Sequence, residues 1–511
     1  MSGAAHTEDR NPVIPEFSQI LGHPKPLWML FMSEFWERFA FYGIRWAMVL
    51  YIVAQFHGGD SGGEKPASEL YGAYLALVYA AAIFGGYVAD KLIGFQRSIL
   101  LGAVIMAIGL FLLAVPDESV FRLGLATIIV GNGLFKPIIS TMVGKLYLQG
   151  DDRRDSGFTI FYMGINLGAF LAPLLTQYLA KKLFGVEDMP AYKVVFIAAG
   201  IGMLLSLVWF WFGRSQLKGI GLPPAGQEGM SRVVGVFAVG AIVGIPLFYF
   251  LLTIDAEALQ GILMALFLIP AGMLLVEGAR EGKVARDMVI AMLLIFFFNV
   301  MFWMFFEQAG SSFNFLADRI VNRDIGMEGM FSALAGEPRF PTSWFQSVNS
   351  VAIIAFAPIM AWMWVRMGRA NPSIPRKFGI GLIFNGLAFL LLMYALSSLV
   401  DDAGKIPFWT LFMVYVIQSI GELCLSPIGL SMTTKLAPGR LAGMAMGCWF
   451  LSIAIGNNLA GIFAGHVSGE GGMTTASALS GYTFGFWALV GSGALLFIAA
   501  PLVQKLMHGV K

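Results

Sequence analysis

The stretch SEFWERFAFYGIR, residues 33–45, carries Glu34, Glu37, Arg38 and Arg45 inside an apolar run from about Leu27 to Phe56. At 100° per residue, Glu34, Arg38, Tyr42 and Arg45 fall at about 0°, 40°, 80° and 20° around a helix, and Glu37 at about −60°. These groups form one polar stripe, while Phe35, Phe39 and Trp46 cover other directions. Glu34 and Arg38 are an i,i+4 pair that can be neutralised within the helix. Glu37, beside Arg38, is a carboxylate with a tunable proton affinity. Arg45 has no acid near it in sequence and needs a partner from another helix or from a ligand. Three further charges stand alone in apolar runs: Lys136 between GNGLF and Pro137, Glu307 in FWMFFEQAGSSFNF, and Glu422 in SIGELCLSPIG. Each such charge costs at least about 2.5–3.5 kcal/mol at mid-bilayer, so it is retained for a reason. Four acids face three bases in this set. One carboxylate therefore lacks a cation, and can stay protonated or exchange its proton when a pair breaks. The competing use of the same residues is structural, as salt bridges that lock helix packing.

Other chemistries find little support. There is no HExxH, no G-x-S-x-G elbow and no Cys/His metal spacing, so an enzyme is not expected. Cys424 and Cys448 lie in apolar segments and read as small core residues. The Gly-Asn-Gly at 131–133 lacks the third glycine and any following strand of a nucleotide fingerprint. The net charge of +2 comes without a basic cluster, which argues against a nucleic-acid partner.

The elements that must position these charges are membrane helices. The 511 residues are 58% hydrophobic and 13% charged, with a mean hydropathy of +0.75, against about 45–50% and 25% in soluble domains. Fourteen apolar runs are long enough to span a bilayer, near 28–56, 69–91, 97–115, 120–146, 157–181, 191–213, 233–254, 257–278, 286–317, 343–366, 376–399, 406–436, 441–466 and 481–507. Residues 1–26 are polar and lack the apolar core of a signal peptide, so the first span is expected to double as an uncleaved insertion signal. With both ends inside, 21 of the 33 Lys and Arg residues fall in interior loops and tails, nine in outer loops, and three inside spans. That bias favours cytoplasmic termini. The pattern predicts an all-α polytopic membrane protein: an N-terminal tail (1–26), a six-helix bundle (27–215), a linker with a two-helix insert (216–284), and a second six-helix bundle (285–511). Residues 318–342 read as an outer loop. Paired bundles with a site near the midplane are the usual plan of secondary transporters, although composition alone also fits a channel.

The residues resemble a known family. EFWER (34–38) followed by FAFYGIR is similar to the ExxERFxYYGxR signature of the proton-coupled oligopeptide transporter family, a branch of the major facilitator superfamily. GGYVADKLIGFQR (85–97) resembles the superfamily's loop between helices 2 and 3. GLFKPIIS (133–140), FYMGINLGAF (161–170), EQAGSS (307–312) and GELCLSPIGL (421–430) resemble the family's motifs in helices 4, 5, 7 and 10. Fourteen helices with an extra pair between the halves is the layout of the bacterial members.

The resemblance implies the major facilitator fold and specific roles. Glu34, Glu37 and Arg38 resemble the proton-coupling group, with Glu307. Arg45–Glu307 and Lys136–Glu422 are expected to be gating salt bridges. Arg45 would take a peptide carboxylate, and Glu422 would face its ammonium. Tyr42, Tyr79, Asn166 and Asn349 match backbone-binding positions, and Trp303, Phe306 and Trp449 match side-chain pockets. Two positions depart from the family. Gly72 stands where animal members carry a histidine directly after the tyrosine matching Tyr71, which excludes coupling through that residue. Phe41 replaces the first tyrosine of the signature pair. The implied activity is proton-driven import of di- and tripeptides across the bacterial inner membrane by a monomer, with no cofactor beyond the co-transported proton. The alternatives are a family member carrying nitrate or another small anion, and a gated channel.

Overall fold

A computed structural model describes residues 14–148, 151–186 and 190–510. Half of the polar N-terminal tail, residues 1–13, lies outside the described residues. Among the described residues are fourteen helices long and apolar enough to cross a membrane. The first six are α1 (Lys25–Phe56), α2 (Ser61–Ile93), α3 (Phe95–Leu113), α4 (Glu118–Gly144), α5 (Arg153–Leu183) and α6 (Tyr192–Leu217). An inserted pair follows, α7 (Met230–Thr253) and α8 (Ala256–Glu281). The last six are α9 (Lys283–Arg319), α10 (Thr342–Ala370), α11 (Ile374–Ser398), α12 (Phe408–Leu436), α13 (Gly439–Ser468) and α14 (Thr475–Leu506). An even number of spans puts the start of α1 and the end of α14 on one face, here the termini face.

Local chemistry sets the helix ends. Asp117 precedes α4 and its carboxylate accepts from Val120 N at 2.9 Å, satisfying an otherwise orphan donor. Thr474 and Ser477 form a reciprocal capping box at the start of α14. Span α9 is broken. Its first helix ends at Phe306, a 3-10 turn covers Glu307–Gly310, and a second helix runs over Ser312–Arg319. A carbonyl freed at the break, Ala309 O, is capped: Gln346 Nε2 and Tyr415 Oη both donate to it. Irregular backbone at membrane depth is tolerated only where protein covers it in this way.

The two bundles meet through pseudo-equivalent pairs. The second helix of the first half, α2, packs on the fifth of the second half, α13, and α5 packs on α10. The α2–α13 seam is a backbone contact. A Cβ built on Gly72 would lie 2.6 Å from Gly461 Cα and 2.8 Å from Asn457 O. No side chain fits there, which gives a physical reason for glycine at position 72. Gly85 and Gly133 bring α2 closer still to α4, where a Cβ on Gly85 would lie 1.6 Å from Gly133 O.

Polar contacts between the bundles gather on the face away from the termini, the far face. Arg319 Nε reaches Glu64 Oε1 at 2.7 Å, and Met473 N donates to Glu64 Oε2 at 2.8 Å. Gln177 Nε2 donates to Glu337 Oε1 at 3.0 Å, and Ser347 Oγ to Phe170 O at 2.8 Å. At the rim, Lys65 Nζ donates to Glu470 Oε1 at 2.7 Å. That bond holds the Glu470 carboxyl below its ordinary range, so the pair stays charged at neutral pH.

Two features depart from the apolar pattern. Span α2 begins before residue 69, because GGEKPASEL is polar yet its Glu64 is fully buried by the partners just named. The expected outer loop at 318–342 contains a short helix, Glu328–Leu334. It also contributes Val321–Asn322, which pairs in parallel with Ile406–Pro407.

Gly72→Val should lower the thermal midpoint of the detergent-solubilised protein, since overpacking a closed seam costs about 1–3 kcal/mol. A fluorescence-monitored melt checks this, and an unchanged midpoint would show the seam to be slack.

Candidate functional site: a charge-lined cleft between the bundles

The α1 stripe faces the bundle interior, as its spacing requires. Glu34, Glu37, Arg38 and Arg45 are all buried, Glu37 completely. Arg38 is shared unequally between two carboxylates. Its Nη2 donates to Glu37 Oε1 at 2.6 Å, and its Nε also pairs with Glu37 Oε2. The contact from Nε to Glu34 Oε1 is longer, at 3.2 Å. Asn132 of α4 adds a donor to Glu37 Oε1 at 3.3 Å. The forked pair with an added amide is the stronger arrangement for an anion. Glu37 is thus the firmly held carboxylate, and Glu34, whose Oε2 has no donor among the described residues, is the loosely held one. Glu37, the acid expected to be adjustable, has the firmer partners of the two. Adjacency in sequence puts Glu37 within reach of both guanidinium nitrogens, whereas Glu34 meets Nε alone.

Arg45 finds its acid in the other bundle. Its Nη2 lies 2.8 Å from Glu307 Oε2, and its Nε donates to Tyr71 Oη at 3.1 Å. The broken helix matters here, because Glu307 is the first residue of the 3-10 turn that follows Phe306. Tyr42 sits beside the pair, with its ring centroid 5.6 Å from the Arg45 guanidinium.

Lys136 and Glu422 are not joined by an ion pair in this state, contrary to the expected gate. The Lys136 ammonium lies over the Tyr79 ring at 4.0 Å and 6.0 Å from the Phe41 ring centre. Glu422 Oε2 accepts from Asn349 Nδ2 at 3.2 Å, and the same amide donates to Ser419 Oγ at 2.8 Å. The physical reason is separation. Lys136 lines a cavity of about 250 Å³ whose opposite wall is α12, through Ser426 and Leu430. Each charge therefore takes what its own wall offers: a ring face for the cation, an amide for the acid.

That cavity brings together Tyr79, Lys136, Trp303 and Trp449 among the expected site residues. Trp303 Nε1 is fixed by Asn299 Oδ1 at 3.0 Å, and Phe306 stacks on Phe302 with centroids 5.3 Å apart. Asn166 donates back to Tyr162 O in its own helix at 3.0 Å, so its Nδ2 is occupied locally. A second cavity of about 660 Å³ shares Ser140 with the first and is lined by Lys145, Tyr147 and Arg154 toward the termini face. Several contributors carry no sign of their role in the sequence. Asn132 lies inside the Gly-Asn-Gly that reads as mere packing. Tyr71 directly precedes Gly72. Gln346 and Tyr415 carry no local signal, because their task, capping the α9 break, exists only once α9, α10 and α12 meet.

A family model described as the POT family matches residues 96–474. The chain belongs to the POT family. Its members are transporters, and this chain is a multi-pass membrane transporter of the major facilitator fold. It is 36% identical to peptide transporter YePEPT of Yersinia enterocolitica over 88% of this chain and 89% of that one. Dipeptide and tripeptide permease A of Escherichia coli K12 is 34% identical, covering 86% and 84%. A crystal structure of the peptide transporter POT in complex with sulfate superposes with a TM-score of 0.81 at 34% identity, covering 97% and 98%.

Glu307→Gln leaves Arg45 without its cross-bundle anion. Thiol labelling by an impermeant maleimide at Ser311→Cys, just beyond the pair, should then rise several-fold. Equal labelling with and without the substitution would show that the pair does not hold the far face closed.

Proposed function

We propose that this transporter is a proton-driven symporter that imports di- and tripeptides across the bacterial cytoplasmic membrane by alternating access. Its working unit is a monomer with both termini in the cytoplasm. The observation that carries the reading is the placement of charges around one cleft: Arg45 and Lys136 on one wall, Glu307 and Glu422 on the other. A short peptide is a zwitterion whose ammonium and carboxylate are a few backbone units apart. Cations on one wall and an acid on the other orient any such molecule, and amide contacts from Asn349 read its backbone without regard to side chain. Its relatives named as dipeptide and tripeptide permeases support the same substrate class. The excess of Lys and Arg in loops on the termini face supports cytoplasmic termini. The present state is then closed to the outside.

The proton enters where an ion pair can be traded. Protonation of Glu307 removes the partner of Arg45 and frees its guanidinium for the peptide carboxylate. Glu34 is the second carrier, since it is the carboxylate that Arg38 holds by one longer contact while Glu37 keeps the fork. Lys136, over Tyr79 and unpaired with Glu422, stands ready to take the peptide carboxylate or to close the termini-face gate once α4 and α12 approach. Loss of the proton inside restores Arg45–Glu307 and releases the substrate. Each elementary charge moved inward gains about 2.3 kcal/mol per 100 mV, enough for uphill uptake.

In proteoliposomes, labelled dialanine should accumulate saturably under an acid-outside gradient, which neither a channel nor an anion carrier would produce. Glu34→Gln should abolish gradient-driven accumulation while peptide counterflow persists, whereas Glu37→Gln should also lower folded yield because it breaks the forked buried pair. Full driven uptake by Glu34→Gln would remove it from proton coupling. Glu422→Gln should weaken dialanine binding about tenfold or more, as expected for loss of a charged partner in a buried site, and calorimetry checks it.

A further inference from the structure

The inserted pair α7–α8 contributes nothing to the cleft, yet its two helices are fastened to different bundles. On the termini face, Arg97 Nη2 of α3 donates to Glu228 O just before α7, at 2.7 Å. Along α7, Gly240 and Gly244 seat against Val130 of α4, where a Cβ on either would meet a Val130 methyl at 3.3 Å. On the far face, Arg122 Nη1 of α4 donates to Leu252 O at 2.6 Å. The same guanidinium is held by Glu118 at 2.7 Å, so its direction is set within α4. Helix α7 thus rides with the first bundle. Helix α8 rides with the second. Asn458 Nδ2 of α13, fully buried, donates to Ala256 O at 2.9 Å and to Gln260 Oε1 at 3.0 Å. At its other end α8 passes through Gly282 into α9, with Gly278 packed on Val289.

Two carbonyls four residues apart, Leu252 O and Ala256 O, are therefore gripped by opposite bundles. The turn between them has little slack. Ile254 sits at φ −79°, ψ 161° and Asp255 at φ −58°, ψ 144°, both already extended. A fully extended chain gains at most about 3.3–3.6 Å per residue, so these grips cannot part beyond about 14 Å without breaking. The chain link between the bundles accordingly includes a short turn on the far face, where α7 and α8 meet, as well as the linker on the termini face. Contact with lipid explains the apolar exposed residues of the pair, Ile242 and Ile269 among them. It does not explain a buried amide and an oriented guanidinium aimed at the two sides of one turn.

We propose that the insert is a far-face tether: the turn at 253–255 limits separation of the outer ends of the bundles and biases the transporter toward the state closed on that face. This rests on the alternating-access reading above. The tether loads the step in which the far face opens and leaves the cleft's own chemistry unchanged.

Pulsed electron spin resonance on the full chain tests it, with nitroxides at Ser119 and Asp402, Cys424 and Cys448 changed to serine, and the protein in lipid nanodiscs. Six Gly/Ser residues inserted between Ile254 and Asp255 should raise the long-distance, far-face-open population about threefold, a shift of under 1 kcal/mol. The same six residues inserted between Ala225 and Gly226, in the termini-face linker, should leave the distribution as it was. Arg122→Gln, which frees Leu252 O without altering chain length, should shift it in the same direction by less, and serves if the insertion fails to fold. A distribution unmoved by both the turn insertion and Arg122→Gln overturns the tether, as does an equal shift from the linker insertion. If no second distance appears at any pH or dialanine concentration, alternating access itself fails and the tether falls with it; a second distance that the turn variants do not move overturns the tether alone.

Discussion

An ionised group buried in a membrane protein must find an opposite charge or a dipole, and the active half of this molecule is organised by that demand. Arg45 is the clearest instance. No acid in its own helix lies within reach, so its charge is met by Glu307 from the other bundle at 2.8 Å. That single pair ties together two bodies that must move apart for substrate to pass. The break in α9 that begins at Glu307, the Gln346 and Tyr415 groups that cap the break, and the Tyr71 hydroxyl on Arg45 all follow from making the pair possible.

The same demand distributes the remaining charges by strength of partnership. Glu37 has a forked arginine and an amide, and is firmly held. Glu34 shares the arginine through one longer contact. Lys136 rests on an aromatic face, and Glu422 on an amide. Groups with firm partners build the wall, and groups with weak partners are free to exchange them. A transporter needs both kinds, because a cleft of only tight pairs would not bind substrate, and one of only loose charges would not insert and pack.

Closure of the far face is spread over several unlike contacts. Glycine seams let α2 and α13 touch backbone to backbone, Glu64 gathers Arg319 and Met473 N, and Gln177 reaches Glu337. The insert adds a covalent element to this set, gripped by Arg122 from one side and Asn458 from the other. No one contact has to be strong for the face to stay shut, and small changes in each are enough to shift the balance of states.

Much of this was legible in the residues. Apolar run lengths determined the number of spans and the two-helix insert, because a bilayer demands about twenty apolar residues per crossing whatever the neighbours are. The α1 stripe and the isolation of Arg45, Lys136, Glu307 and Glu422 were also local facts, since helical angle depends only on spacing. The family motifs sit in those same segments. What the sequence could not settle was anything decided by distance between helices. Glu64 looked like loop because its partners lie some 250 and 400 residues away in the chain. Lys136 and Glu422 looked like a pair, but the cavity between their helices holds them apart in this state. Only assembled geometry showed that Arg38 favours Glu37 over Glu34, and that one short turn is gripped by both bundles. Spacing determines which face a side chain takes; tertiary packing alone determines what meets it there.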